Sequence, residues 1–480
     1  TPSPSRSTGG AGEWTRRDVL RAAAFSPGVL AAGPARAAGE GAPEEERRAV
    51  RVVRTDSNFE REPLVRPFGF KGGYLSEIWQ VAVRMEGEDG RARIGLGTQS
   101  VLWSDAAVFA SRSESAGNAL MYAVTERALA HVREAAGPFA TPLDLLDAVL
   151  EPTHAYAREA TGRRELRKTF TLNALVPVDN AAWLLHADAN GIAGFDAMVP
   201  DAFRPALASR HGQVAAIPLM AYAVPVPEIR AAAEQGFFFM KVKIGQPGTQ
   251  EEMLERDRAR LSEIHAAIGS VETPHTRDGR LPYYLDANGR YESKETLLRL
   301  LDHARRIGAF DRIAVVEEPF PEELEVEVGD LGVRVAADES AHTDADAARR
   351  IDLGYGAIAL KPIAKTLSMS LRIARLAHER GVPCFCADLT VHPILVEWNK
   401  AVAARLAPLP GLSLGLVETN GHQNYRNWEA MRRHHPAFGA PWTLPERGVF
   451  RLDGDYYARS GGIFEPSPHY EALFRRSPEA

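Results

Sequence analysis

With 480 residues, 45% of them hydrophobic, the chain is long enough for one large domain and a smaller companion. A formal net charge of -6, with no basic stripe interleaved with aromatics, argues against a nucleic-acid binder. No apolar run approaches the roughly 18 residues needed to cross a bilayer, so no membrane span is expected.

The first elements in chain order are a pair of arginines, Arg16 and Arg17, followed by a short Ala-rich apolar segment and the small-residue site Ala35-Arg36-Ala37. This arrangement resembles a bacterial twin-arginine export signal, which assigns residues 1–45 to a signal and linker. The expected location is then periplasmic or exported. The alternative is a disordered Ala/Pro/Gly-rich tail on a cytoplasmic protein.

Residues 46–205 read as a small α+β domain. In "LSEIWQVAVRMEGEDGRARIGLG" apolar positions alternate on either side of a polar turn at Glu86 to Gly90, as in a hairpin. From Ala116 to about Asp201 the spacing is helical, as in "GNALMYAVTERALAHVREAA". Strands followed by helices suggest one compact α+β unit.

From about Val214, within a segment assigned to 206–440, eight short apolar runs alternate with amphipathic helical stretches. The runs are "AAIPLMAYAV", "FFFMKVKIG", "PYYLDANG", "RIAVVEEPF", "RVAADES", "AIALKPI", "PCFCADL" and "LSLGLVE". Successive polar landmarks lie about one βα unit apart, so a (β/α)8 barrel is the expected architecture. A doubly wound open sheet is the alternative, but no Gly-rich phosphate loop follows any strand. Residues 441–480 form a C-terminal segment expected to pack back on the first domain. The chain's two cysteines, Cys384 and Cys386, share one face of a strand and read as buried free thiols.

The runs end in charge. Lys243 closes the second, Asp286 the third, Glu317 the fourth, Asp338 the fifth and Lys361 the sixth. In a parallel barrel those ends meet at one mouth. Three converging carboxylates repel unless a cation lies between them, and hard oxygen ligands suit Mg²⁺. Asp286, Glu317 and Asp338 are therefore the expected ligands of one divalent ion. Glu318 and Glu339 compete with their neighbours, because period two lets one residue of each adjacent pair face the mouth. Lys243 and Lys361 flank the acids, and a nearby cation such as Lys241 or the metal is expected to make lysine a better base. Such a site suits removal of the proton α to a carboxylate through an enediolate.

Taken in order, "KVK", "LDAN", "VEEP", "ADES" and "LKP" strongly resemble the enolase superfamily, specifically its muconate-lactonizing-enzyme subgroup within the mandelate racemase/muconate lactonizing enzyme family. The resemblance implies that the N-terminal domain caps the barrel and that Lys243 and Lys361 are the acid/base pair, with Lys241 supporting Lys243. It places the Mg²⁺ on Asp286, Glu317 and Asp338, with Asn288 and Glu339 lining or bracing the site. Asp388, His392, Asn420, His422 and Asn424 follow the last two strands and are candidates for substrate contact. The motif "RPFGFKGG", Arg66 to Gly73, is either a lid over the mouth or a plain surface hairpin.

Two departures stand out. Relatives usually carry a Gly-Gly pair after the sixth strand, where this chain has Thr366 and Leu367. Dipeptide epimerases of the family use an Asp-x-Asp pair on the eighth strand, where this chain has Glu418 and Asn420. The implied substrate is a small-molecule carboxylate, and the implied reaction is racemisation or epimerisation. Dehydration or cycloisomerisation is the alternative, and a non-catalytic binding protein on the same fold the second. Relatives are often symmetric assemblies, so a homo-oligomer is expected.

Overall fold

The computed structural model describes residues 44–475 apart from Lys71, Gly72 and Ala135, all within one compact unit. The export-signal motif, Arg16 to Ala37, lies outside the described residues. The chain opens with an antiparallel meander of β1 (Val52–Phe70), β2 (Gly73–Gly87) and β3 (Ala92–Gln99). Helices Glu114–Glu134, Pro142–Thr161 and Lys168–Ala189 follow. The second starts at a capping box between Thr141 and Asp144 and stops where Gly162 turns left-handed at φ 69°.

Helix Lys168–Ala189 is buried over almost its whole length, with polar side chains such as Thr171, Asn173, Asp179 and Asn180 buried among its apolar ones. It lies on β3 so closely that a Cβ at Gly95 would sit 2.2 Å from Ala181 N and from Pro177 O. Its other contacts reach the barrel. Trp183 Nε1 donates to Ser368 Oγ at 3.0 Å, and Asp179 accepts from the Ser368 amide at 3.1 Å.

The barrel begins with β4 (Gln213–Ile217) and β5 (Leu219–Met220), one strand interrupted at Pro218. Seven more staves follow: β6 (Met240–Lys243), β7 (Tyr283–Asp286), β8 (Ile313–Glu317), β9 (Val335–Ala337), β10 (Ala357–Leu360), β11 (Cys384–Cys386) and β12 (Gly415–Glu418). Neighbours in sequence pair in parallel from β5 to β12, and β12 pairs with β4. The split first stave therefore closes the ring, its Pro218 carbonyl accepting from Lys241 N and its Ile217 carbonyl from Thr419 N, both at 3.0 Å. All eight runs read from the sequence are staves. Proline donates no ladder hydrogen bond, which accounts for the break. A short β13 (Val449–Arg451) joins β4 antiparallel.

One apolar core runs through both layers, including Val83, Leu172 and Trp183 above and Ala357, Leu371 and Val417 below. The C-terminal segment reaches the first strand, where Asn58 Nδ2 donates to Leu473 O at 3.3 Å. Among the described residues no helix is long and apolar enough to cross a membrane.

Asp179 supplies a test of the contact between layers. Burial pushes its carboxyl up to about 6, against the hydrogen bonds from Ser368 that favour the anion. An unfolded aspartate titrates near about 3.9, so the folded chain holds this proton more tightly. Stability contributed here is greatest in acid and is lost as pH rises from about 4 through about 6. Asp179→Asn is expected to flatten that part of the curve, read from denaturant midpoints at each pH. An unchanged slope would refute the account.

Candidate active site

The parallel register sets the first row of the site. Lys243 pairs with Asp286 across β6 and β7, and Asp286 with Glu317 across β7 and β8. Two residues back, Lys241 and Tyr284 occupy the layer beneath, because alternate side chains share a face. Lys241 Nζ reaches Glu317 Oε1 at 2.8 Å, Asp286 Oδ2 at 3.0 Å and Glu418 Oε2 at 3.2 Å. Lys243 Nζ lies 2.5 Å from Asp286 Oδ2 and donates to Asn288 Oδ1. On the other flank Lys361 Nζ is 2.6 Å from Asp338 Oδ2. Acids on the third, fourth and fifth staves thus stand between lysines on the second and sixth.

Beyond the strand ends the backbone turns sharply. Asn288 and Glu318 take positive φ, 46° and 41°. Asn288 then bridges outward, its Nδ2 donating to Glu339 Oε1 at 3.0 Å. Glu318 turns away from Glu317, and its Oε2 accepts from the amides of Asp338 at 2.8 Å and Ser340 at 3.3 Å. Burial, with Glu339 nearby, pushes the Glu318 carboxyl up to about 7. Thr366 has φ 72° and ψ 154°, a conformation that disfavours a β-branched residue. Its Oγ1 accepts from Met369 N at 3.1 Å and caps the following helix.

Seven carboxyls are buried here, Asp286, Glu317, Glu318, Asp338, Glu339, Asp388 and Glu418, against four ammonium groups, Lys241, Lys243, Lys361 and Lys365. Burial alone would lower the pKa of Lys241, but Asp286, Glu317 and Glu418 together hold it well above its ordinary value. Burial also works against the Lys361 ammonium, and Asp338 outweighs it so that the pKa rises. Burial pushes the Asp286 carboxyl up, yet Lys241 and Lys243 bring it below the ordinary range.

The acids fit a divalent ion. Glu317, Asp338 and Glu339 each offer an oxygen within 4.8 Å of the other two. The Glu339 Oε2 atom is buried without a hydrogen-bond partner. An all-oxygen donor set of this kind suits Mg²⁺. Asp286 adjoins the cluster, with its Oδ2 held between the two β6 lysines.

The remaining candidates divide. Asp388 spends both oxygens on backbone, Oδ1 accepting from Leu389 N at 2.7 Å and Oδ2 from Asn420 N at 2.7 Å. Asn420 accepts from Thr390 Oγ1 at 2.7 Å, and both Asn420 and Asp388 line the mouth. Asn424 Nδ2 donates back to Asn420 O at 2.9 Å. His422 is exposed to solvent. His392 caps helix Pro393–Ala403, its Nδ1 accepting from Ile394 N at 3.1 Å, and its ring faces Tyr470 of the C-terminal segment. From the motif expected as lid or hairpin, Phe68 lines the mouth, joined by Leu75, Leu102 and Trp103 of the same domain.

Three contributors escape a strand-end reading. Tyr284 donates to Glu317 Oε2, and its parity with Asp286 could have placed it. Lys365 donates to the Asp338 carbonyl at 2.6 Å from a helical turn, where strand parity says nothing. Trp103 lays its ring 4.3 Å from Lys361 Nζ, from a distant part of the chain.

A barrel with charged strand ends under an α+β cap defines the class, and comparison with known proteins agrees. Residues 226–426 match the family described as enolase C-terminal domain-like. The chain is similar to the solved mandelate racemase/muconate lactonizing protein from Herpetosiphon aurantiacus, at 18% identity and TM-score 0.56 over 86% of this chain and 98% of that one. It is similar at 17% identity to L-talarate dehydratase from Polaromonas sp. JS666 complexed with Mg and L-glucarate, at TM-score 0.56 over 84% and 93%. A dipeptide epimerase from Cytophaga hutchinsonii, complexed with Mg and D-Ala-L-Val, is similar at 18% identity and TM-score 0.55 over 84% and 93%. No curated protein sequence matches the chain. Residues 226–426 thus match an enolase C-terminal domain-like family, and the fold is shared with solved mandelate racemase/muconate lactonizing enzyme-like proteins.

Partners that orient metal ligands typically change metal affinity about 10–100-fold when removed. If Glu317 holds a Mg²⁺ ion, Tyr284→Phe is expected to weaken its binding by about that factor in calorimetric titration. Unaltered affinity would mean that Glu317 needs no help from the hydroxyl.

Proposed function

We propose that this chain is a Mg²⁺-dependent enzyme that removes the proton α to a carboxylate and returns one to the opposite face, a racemase or epimerase. The observation that carries the reading is the order of the staves, with carboxylates on three neighbours and one lysine stave on either side. Lys243 and Lys361 are the proposed acid/base pair, and Lys241 supports Lys243. Asp286, Glu317 and Asp338 are the proposed metal ligands, with Glu339 close enough to join them. A bound divalent ion would offset the carboxylate charge that favours the lysine ammonium forms and would favour negative charge developing on the substrate carboxylate. Lys241 stays charged beneath Asp286 and Glu317, Trp103 braces Lys361, and the apolar residues of the cap exclude water from the mouth.

Dehydration or cycloisomerisation is the competing reading, since the fold is shared with a talarate dehydratase as well as a dipeptide epimerase. Dipeptides are disfavoured as substrates. At the end of the eighth stave Glu418 already pairs with Lys241, and the oxygens of Asp388 are taken by backbone amides. A substrate ammonium would have to displace one of these contacts.

Incubation with Mg²⁺ in D₂O tests the proposal, using acid sugars, N-acyl amino acids, dipeptides and cyclic amino acids, with chiral analysis of products. Deuterium incorporation with inversion is expected for at least one class. Loss of water or ring closure would favour the competing reading, and no exchange anywhere would favour a non-catalytic binding protein. General acid–base groups contribute about 10²–10⁴-fold, so Lys243→Ala and Lys361→Ala should each slow inversion by that order. Each variant should retain exchange from the face served by the remaining lysine. Unchanged turnover in both would remove the lysine mechanism.

A further inference from the structure

Away from the mouth, three segments bring a carboxylate and two imidazoles together. Glu60 lies on β1, His434 ends helix Trp428–Arg433, and His469 belongs to helix Pro468–Leu473. Each offers a possible ligand atom within 4.8 Å of the other two. His469 Nε2 is 2.8 Å from Glu60 Oε1, and its ring stacks on His434 with centroids 3.5 Å apart.

Two neighbouring histidines are differently committed. His392 Nδ1 accepts from Ile394 N at 3.1 Å, and His435 Nδ1 accepts from Ala437 N at 2.9 Å. A ring nitrogen that accepts an amide hydrogen leaves the proton of the neutral ring on Nε2, so neither of these side chains has a free lone pair for a metal. His434 contrasts with both: its Nδ1 is buried and has no hydrogen-bond partner. Buried polar atoms are normally satisfied, and a cation held beside the neighbouring carboxylate and second imidazole would give this nitrogen a partner.

We propose that Glu60, His434 and His469 form a second divalent-metal site, selective for Zn²⁺-like ions, that fastens the C-terminal helix to the first strand of the cap. Two nitrogens and one carboxylate oxygen form a donor set suited to zinc, whereas the oxygen-only cluster in the barrel suits magnesium. Three protein ligands leave a fourth position for water. The two rings must rotate out of their stack to aim at one ion, and His434 Nδ1 gives up no hydrogen bond in doing so. The ion would join segments already linked by the contacts from Asn58 to Leu473 and from Glu60 to His469.

Cobalt(II) reports the ligand set directly, because four-coordinate nitrogen-bound cobalt absorbs visible light far more strongly than six-coordinate oxygen-bound cobalt. Titrating Co²⁺ into the full chain with Mg²⁺ in excess is expected to give the strong band, saturating at one equivalent. His469→Ala and Glu60→Gln should each abolish it, and Asp338→Asn should leave it intact. Zn²⁺ should raise the Tm of the parent and of Asp338→Asn but of neither cluster variant, by mass action on the folded state. Circular dichroism confirms the fold of each variant, and Glu60→Gln keeps the shape of the side chain on a strand. A weak six-coordinate spectrum in the parent, or survival of the strong band in either cluster variant, would overturn the site.

Discussion

The structure depends on holding opposite charges together where water cannot reach them. An isolated carboxylate or ammonium taken into a protein interior costs several kcal/mol even after relaxation. At the mouth of this barrel seven carboxyls and four lysines share that environment. Most are tolerated as ion pairs and others, Glu318 and Asp388, by backbone amides, and parallel register brings the paired strand ends to a single level. Lys241 shows the constraint most clearly, since three carboxylates from three staves meet at its one nitrogen. The excess of acids over lysines is the physical argument for the divalent cation proposed in the same place.

The cap is tied to the same region by a polar chain. Thr98 Oγ1 donates to Gln80 Oε1 at 2.6 Å, Gln80 Nε2 donates to Tyr425 OH at 2.8 Å, and that hydroxyl donates to Thr390 O at 2.5 Å. The amide of His392 donates to Thr98 Oγ1 at 3.3 Å. The second and third cap strands therefore hold the loops that follow the last two staves. Glycines at 95 and 97 let the long buried helix lie against β3, which fixes where Trp103 and Leu102 emerge over Lys361 and the acids.

The parts of this arrangement written in periodic strands were legible from the residues. Lys241 with Lys243, and Asp286 with Glu317, follow from alternation and parallel order, and so does the eight-stave barrel. Legibility stops where the strands stop. Alternation admits one residue from each of Glu317–Glu318 and Asp338–Glu339, yet Asp338 and Glu339 both enter the acidic cluster because β9 ends at Ala337. Positive φ at Glu318 likewise turns its carboxyl onto the next stave's backbone, where its order in the sequence gives no guide. Trp103 and Lys365 come from a helix of the cap and a helical turn after the sixth stave, so their approach to Lys361 and Asp338 is set by tertiary packing.

The uninterrupted apolar interior shared by cap and barrel carries an evolutionary consequence. Val83, Leu172 and Trp183 are packed into the same hydrophobic mass as Ala357 and Leu371, so the two layers cannot be exchanged as independent modules. Grafting a cap from a distant homologue would cut across that mass and leave mismatched voids on both sides of the seam. Diversification is then channelled into short rim segments around Phe68 and Leu75 and around Leu102 and Trp103. There, side chains can change the shape of the mouth while the interior stays as it is.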